Sequence, residues 1–156
     1  MAMIIEGEER IEAPIAKVWE ALNDTETLKA CIPGCESLEK TGDNQLAAVV
    51  TLKIGPIKAK FNGEVELKNL KPPHSYTIEG EGKGGIAGFA KGGADVKLTE
   101  ESPTVTILTY EAKADVGGKI AQLGSRLITS TSKKLAGQFF SSFNEQVSGN
   151  KAEASA

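Results

Sequence analysis

Ile57-Lys58-Ala59-Lys60-Phe61-Asn62-Gly63-Glu64-Val65-Glu66-Leu67-Lys68 changes character at every residue. Ile57, Ala59, Phe61, Val65 and Leu67 fall on one side, and Lys58, Lys60, Asn62, Glu64, Glu66 and Lys68 on the other. Side chains alternate across a strand, so the stretch predicts a strand with one face on a core and one in water, as in an antiparallel sheet. Residues 36–115 continue in this manner, broken by turn residues at 41–45, Gly55-Pro56, 71–75, 80–88 and 100–103. That is an antiparallel meander. Residues 3–11 form a further strand, with Ile5, Gly7, Glu9 and Ile11 on one side and Glu6, Glu8 and Arg10 on the other.

Between the first strand and the meander the period changes. Pro14 opens a helix in which Ile15, Val18, Trp19 and Leu22 share a face, and Asp24 or Thr25 caps a second short one that Pro33 and Gly34 must end. After Gly117-Gly118, residues Ile120, Gly124, Leu127, Ile128, Thr131, Leu135, Phe139 and Ser142 recur at helical spacing, which predicts a long helix starting there. The expected fold is α+β, a helix-grip of seven antiparallel strands with two short helices and one long C-terminal helix across the concave face. Residues 1–147 are expected to form one domain, and the small, polar residues 148–156 a short disordered tail.

Composition narrows the function classes. With 18 basic and 21 acidic residues and a net charge of −3, the chain lacks the basic stripe that nucleic acid binding needs, so no nucleic acid partner is expected. Cys31 and Cys35 are too few for a secreted disulfide framework, and the start of the chain is neither basic nor apolar enough for a signal peptide. A cytoplasmic protein is expected, and no apolar run is long enough to span a bilayer.

No set of residues suited to covalent chemistry emerges. His74, the only histidine, sits in the turn Lys71-Pro72-Pro73-His74, so neither a hydrolytic triad nor a histidine-based metal site can assemble. Cys31 and Cys35 flank Ile32-Pro33-Gly34, a spacing that fits neither a redox nor a zinc motif, and they read as buried free thiols. The glycines of residues 80–89 are not followed by a helical pattern and read as a glycine-rich hairpin, not a phosphate loop. Inward polar candidates reduce to Tyr110, Asp115, Thr131, Ser125 and Ser142, none with an evident activator. No catalytic residue, metal or cofactor is therefore expected.

The turns of a meander alternate between its two ends. At one end fall 41–44, 71–74 and 100–103, all polar. At the other fall Ile32-Pro33-Gly34, Ile54-Gly55-Pro56-Ile57, Gly84-Gly85-Ile86-Ala87-Gly88-Phe89 and Val116-Gly117-Gly118, apolar and glycine-rich, among Lys53, Lys58, Lys60, Lys83, Lys91 and Lys119. Two readings stand for this end: loops that pack on each other, or exposed apolar tips forming an entrance and a membrane or partner contact. Its candidate residues are Ile32, Pro33, Ile54, Pro56, Ile57, Lys58, Ile86, Phe89, Gly117 and Gly118. Between sheet and long helix, Phe61, Val65, Phe89, Leu108, Tyr110, Ala112, Ile120, Leu123, Gly124, Leu127 and Thr131 are the candidate lining of an apolar ligand cavity. The same residues would also make a solid core.

Glu12-Ala13-Pro14 with Val18-Trp19, Cys31-Ile32-Pro33-Gly34-Cys35, Gly88-Phe89, and 116–124 with Phe139-Phe140 together resemble the carbon monoxide dehydrogenase G-subunit family of the START-like (SRPBCC) helix-grip superfamily. The resemblance spans residues 3–147. It implies a non-catalytic accessory protein of molybdenum hydroxylases of the carbon monoxide dehydrogenase type. Such a protein aids membrane recruitment of the hydroxylase and binds a quinone-like lipid, such as menaquinone or ubiquinone, as electron acceptor. Family members can carry an extended C-terminal segment that contacts the membrane. The polar residues 148–156 do not read as one, so peripheral membrane contact is expected from the loop end or a partner. Two other readings remain: a recruitment module with no ligand, and a START-like cyclase or hydratase with Tyr110 as its acid.

Overall fold

The computed structural model describes residues 2–148. The order is β1 (Ala2–Ile11), α1 (Ile15–Leu22), α2 (Thr25–Cys31), β2 (Cys35–Gly42), β3 (Gln45–Ile54), β4 (Ile57–Lys71), β5 (Ser75–Lys83), β6 (Phe89–Ser102), β7 (Val105–Gly117) and α3 (Ser125–Ser148). Short 3₁₀ turns lie at Gly85–Ala87 and Lys119–Leu123. The strands form one antiparallel sheet in the order β1-β7-β6-β5-β4-β3-β2, so the meander is continuous and β1 joins its far side against β7. This is the expected helix-grip architecture. Ile57–Lys71 is a strand, with Phe61 buried and Lys58, Lys60, Asn62 and Glu64 exposed. Beyond Lys68 its register shifts at a bulge where Asn69 takes a φ of 53°, and the alternation moves so that Leu67 and Leu70 both reach the core.

Three boundaries differ from expectation. The long helix starts at Ser125, not after Gly118, because Gly124 adopts φ 93° and ψ 151°, far from helical values. Ile120 and Leu123 therefore belong to a separate 3₁₀ turn. Strand β5 runs to Lys83, so of the expected turn at 80–88 only 84–88 turn. Helix α3 includes Ser148, the first residue of the tail expected over 148–156; the rest of that tail lies outside the described residues.

The core is in two pieces. The first cluster joins Ile11, Ala13, Val18, Leu22, Cys31, Tyr76, Val96, Leu98, Leu108, Phe143 and Val147. It lies at the end of the sheet that carries the polar turns. Trp19 meets Tyr76 edge-on at 5.3 Å, and Phe139 stacks on Phe143 at 5.7 Å. The buried Thr106 hydroxyl donates to the Ala13 carbonyl at 2.8 Å, and Asn144 of α3 bonds the Glu12 amide and the Arg10 carbonyl, tying helix to strand. The second cluster, at the glycine end, joins Met3, Phe61, Ala87, Val116, Ile120 and Ile128.

Candidate ligand-binding layer

Register fixes which residues share the inner face between the two clusters. One row runs Ala48, Gly63, Gly82, Ala90, Val116; the next Leu46, Val65, Gly80, Gly92, Ala114, Met3; the third Leu67, Ile78, Ala94, Ala112, Ile5. The middle of this floor consists of glycine and alanine. Strands lie about 4.8 Å apart and same-face residues about 6.7 Å, so the three rows across β4 to β7 cover roughly 14 by 14 Å.

Large side chains would normally descend from a covering helix to fill such a floor, as cores pack to crystal-like density. Here they do not. Leu46, Ala48, Val65, Ile78, Gly80, Gly82, Ala90, Gly92, Ala94 and Ala112 all remain partly solvent-accessible although they face inward, and no residue of β2 or β3 is buried. A Cβ built on Gly82 would meet nothing within 4 Å. Opposite, Leu127, Thr131 and Leu135 of α3 are also only half-buried. The two solid clusters thus flank a central stretch of small inward-facing residues that remain partly accessible.

Polar groups border this layer without forming a catalytic set. The Tyr110 ring stacks on Phe140 of α3 at 5.5 Å, and its hydroxyl lies over Gly7 of β1, where a Cβ would be 2.4 Å away. The hydroxyl is thus directed to the β1 edge, away from the small-residue floor. Burial and the Glu9 carboxylate push the Tyr110 pKa up, so it stays a protonated donor at neutral pH. Burial also raises Glu9, which shares the inner face beside Leu108. Both thiols are free and held above their ordinary pKa by burial, Cys31 inside the first cluster and Cys35 donating to the Ser37 carbonyl at 3.3 Å. His74 is exposed in its turn. Among the described residues no group of three metal-ligating side chains occurs, and no helix is long and apolar enough to cross a membrane.

The structure sorts the candidate residues. Val65 and Ala112 lie on the floor, and Leu127 and Thr131 are half-buried residues of α3. Leu108 and Ile120 are 1% and 3% exposed and belong to the flanking clusters. Phe61 and Leu123 pack at the glycine end. Phe89 does not reach the layer: in register with Lys83 and Gly117 it faces outward, its ring over Gly117, and Ala90 takes the inner position. Gly124 is a backbone break with open space around it.

At the expected mouth, Ile54 and Ile57 are not exposed tips, because they pack on the second cluster. Ile32, Pro33 and Gly117 are half-buried, whereas Pro56, Lys58 and Gly118 are exposed. Ile86 is 92% and Phe89 41% exposed. Leu127 reaches the turn at Gly55, where a Cβ would lie 2.9 Å from its Cδ2. Sequence reasoning missed Gly63, Gly80, Gly82, Ala90, Gly92, Ala94 and Ala114, which only the strand register brings together.

Two open recesses, of about 740 and 790 Å³, lie on the opposite, solvent face of the sheet. Carboxylates such as Glu64, Glu79, Glu81 and Glu111, with Lys91 and Lys113, line the first. They are polar, wet surface and not the sheet–helix layer.

The family model for CoxG, the G-subunit of carbon monoxide dehydrogenase, matches residues 7–148. The chain belongs to this family. A conserved protein from Geobacillus kaustophilus is 32% identical, covering 93% of this chain and 95% of that one, with a TM-score of 0.88. The fold alone is shared with two more distant structures. A START superfamily protein from Mycobacterium smegmatis is 11% identical, covering 92% and 96%, TM-score 0.71. The Zhui aromatase/cyclase from Streptomyces sp. R1128 is 10% identical, covering 96% and 95%, TM-score 0.71. No individually curated protein matches the chain. CoxG is thus a subunit-type family on a START-like fold that also carries a cyclase.

Proposed function

We propose that this CoxG-family chain binds an isoprenoid quinone or similar lipid in the layer between sheet and α3. On this reading it serves a molybdenum hydroxylase of the carbon monoxide dehydrogenase type, at the inner face of the cell membrane, without covalent chemistry of its own. The observation that supports it is the unfilled floor: inward glycines and alanines that remain accessible between two solid clusters. An apolar chain entering there would gain about 0.8 kcal/mol for each methylene it buries. Val65, Ala112, Leu127 and Thr131 would touch it, and entry would be from the glycine end, where Ile86 stands exposed among lysines.

Organic extraction of the purified protein, followed by mass spectrometry, tests the reading. A co-purifying quinone or lipid is expected. Repeated absence of lipid, together with no uptake from quinone-loaded vesicles, would contradict it.

The 92% exposure of Ile86 favours one second reading, a recruitment module in which the tip does the work and the layer holds nothing. It predicts that Ile86→Asp abolishes partner or membrane binding while Gly82→Leu, which fills the layer, is harmless. The ligand reading predicts that Gly82→Leu is the damaging change.

A further inference from the structure

Both 3₁₀ turns at the glycine end are bounded by glycines in conformations other residues avoid. Gly88 (φ 115°, ψ −153°) ends the first turn, and Gly118 (φ 80°, ψ −153°) and Gly124 (φ 93°, ψ 151°) bracket the second. This part of backbone space is essentially confined to glycine. With Gly85, the first residue of the first turn, four of the six positive-φ glycines among the described residues therefore lie in or beside these two short segments.

The turns touch through those same glycines. A Cβ on Gly88 would lie 2.1 Å from the Gly117 carbonyl oxygen, and one on Gly118 2.5 Å from the Gly88 Cα. Backbone packs directly on backbone here, continuing the pairing of Phe89 with Gly117, and the Ala87 carbonyl inside the first turn lies 3.6 Å from where a Cβ on Gly118 would be. The turns' own hydrogen bonds run from Ala87 to Gly84, Gly88 to Gly85, Ala121 to Gly118 and Gly124 to Ala121, at 3.1 to 3.3 Å. These close within each turn, and the Gly84 amide also donates to the Gly88 carbonyl at 2.8 Å, so the two ends of the first turn are tied together and it moves as a unit. Each turn also drives one apolar side chain inward: Ala87, 7% exposed, and Ile120, 3% exposed. They meet in the second cluster, whose Val116 ends the first row of the floor.

We propose that the two turns are one gate, which swings on Gly85, Gly88, Gly118 and Gly124 and withdraws Ala87 and Ile120 together as its stopper. Its use as a ligand entrance rests on the carrier reading; its existence as a coupled unit does not.

Hydrogen–deuterium exchange of the wild-type chain and of Gly124→Ala and Gly137→Ala tests it. A methyl on Gly124 meets nothing within 4 Å, so that variant removes only the hinge conformation. Gly137 lies inside α3, also in open space, and is the control. Gly124→Ala is expected to raise exchange by at least about tenfold in both 84–88 and 117–124, with β4 and α1 unchanged, while Gly137→Ala alters neither turn. Faster exchange confined to 117–124 would overturn the coupled gate. A stopped-flow arm follows entry of N-phenyl-1-naphthylamine, a fluorescent apolar probe. Faster entry in Gly124→Ala is expected, and equal rates would overturn the gate as an entrance. If the wild type takes up no probe, the carrier reading falls, and exchange alone decides the gate.

Discussion

The two ends of the sheet–helix layer are closed by different means. At the polar-turn end, helices and strands both deliver large side chains, with Phe143, Val18, Ile11 and Leu108 at 1% exposure or less; Thr106 holds the link between β1 and α1, and Asn144 bonds α3 to β1. At the glycine end, closure depends on short 3₁₀ turns whose glycines allow backbone to meet backbone. The first arrangement is built from many dispersion contacts that any displacement would lose together. The second packs Met3, Phe61, Ile120 and Ile128 beneath turns whose glycines hold conformations other residues avoid. The helix-packed end and the glycine-bounded end thus differ in what closes them, with the small-residue floor between them.

The contrast can be attacked where it is strongest. Phe143→Ala empties the centre of the first cluster and is expected to cost about 3–5 kcal/mol in urea unfolding. Ile120→Ala, in the glycine-end cluster, should cost less, because the turns can close in on the smaller side chain. Equal losses would remove the distinction between the ends. Thr106→Val keeps the shape but leaves the Ala13 carbonyl without its buried donor; about 1–3 kcal/mol is expected in the same measurement.

A leucine at Gly82 tests the space between. Inserting it into a filled core would cost about 1–3 kcal/mol. Into an unfilled layer it is expected to leave stability unchanged or slightly raised, because glycine is costly to order within a strand. The smallest effect concerns Glu9, on the inner face at the β1 edge. Burial raises its folded pKa, so the folded state resists its ionisation more than the unfolded state does. That costs stability above the folded pKa, and the cost vanishes once pH falls below the unfolded value. Glu9→Gln is therefore expected to raise the urea midpoint at about pH 7 and to leave it unchanged at about pH 3.5. The opposite pattern would show that Glu9 is held by a favourable partner.

Most of the architecture was legible because it rests on period. Residues 57–68 alternate, β1 alternates, and the turns sort to two ends as a meander requires. What escaped rests on glycine, which has no side chain to carry a period. Gly80 and Gly82 read as a loop yet lie in β5, and the small residues around them are a floor only once register aligns Gly82 with Gly63 and Ala90, and Gly80 with Gly92. Gly124 fits the helical spacing of its neighbours and nevertheless breaks the helix, because periodicity reports direction and not φ. Phe89 misled for a related reason. Its hydrophobicity pointed inward, whereas the parity of β6, set by Val96 and Leu98, gives the inner place to Ala90.

Native mass spectrometry of the wild-type chain and of Gly82→Leu, each titrated with a short-chain quinone, addresses the unfilled layer most directly. A one-to-one adduct with the wild type, lost in Gly82→Leu while the fold and stability persist, is the predicted result. Equal adducts in both chains, or none in either, would contradict it.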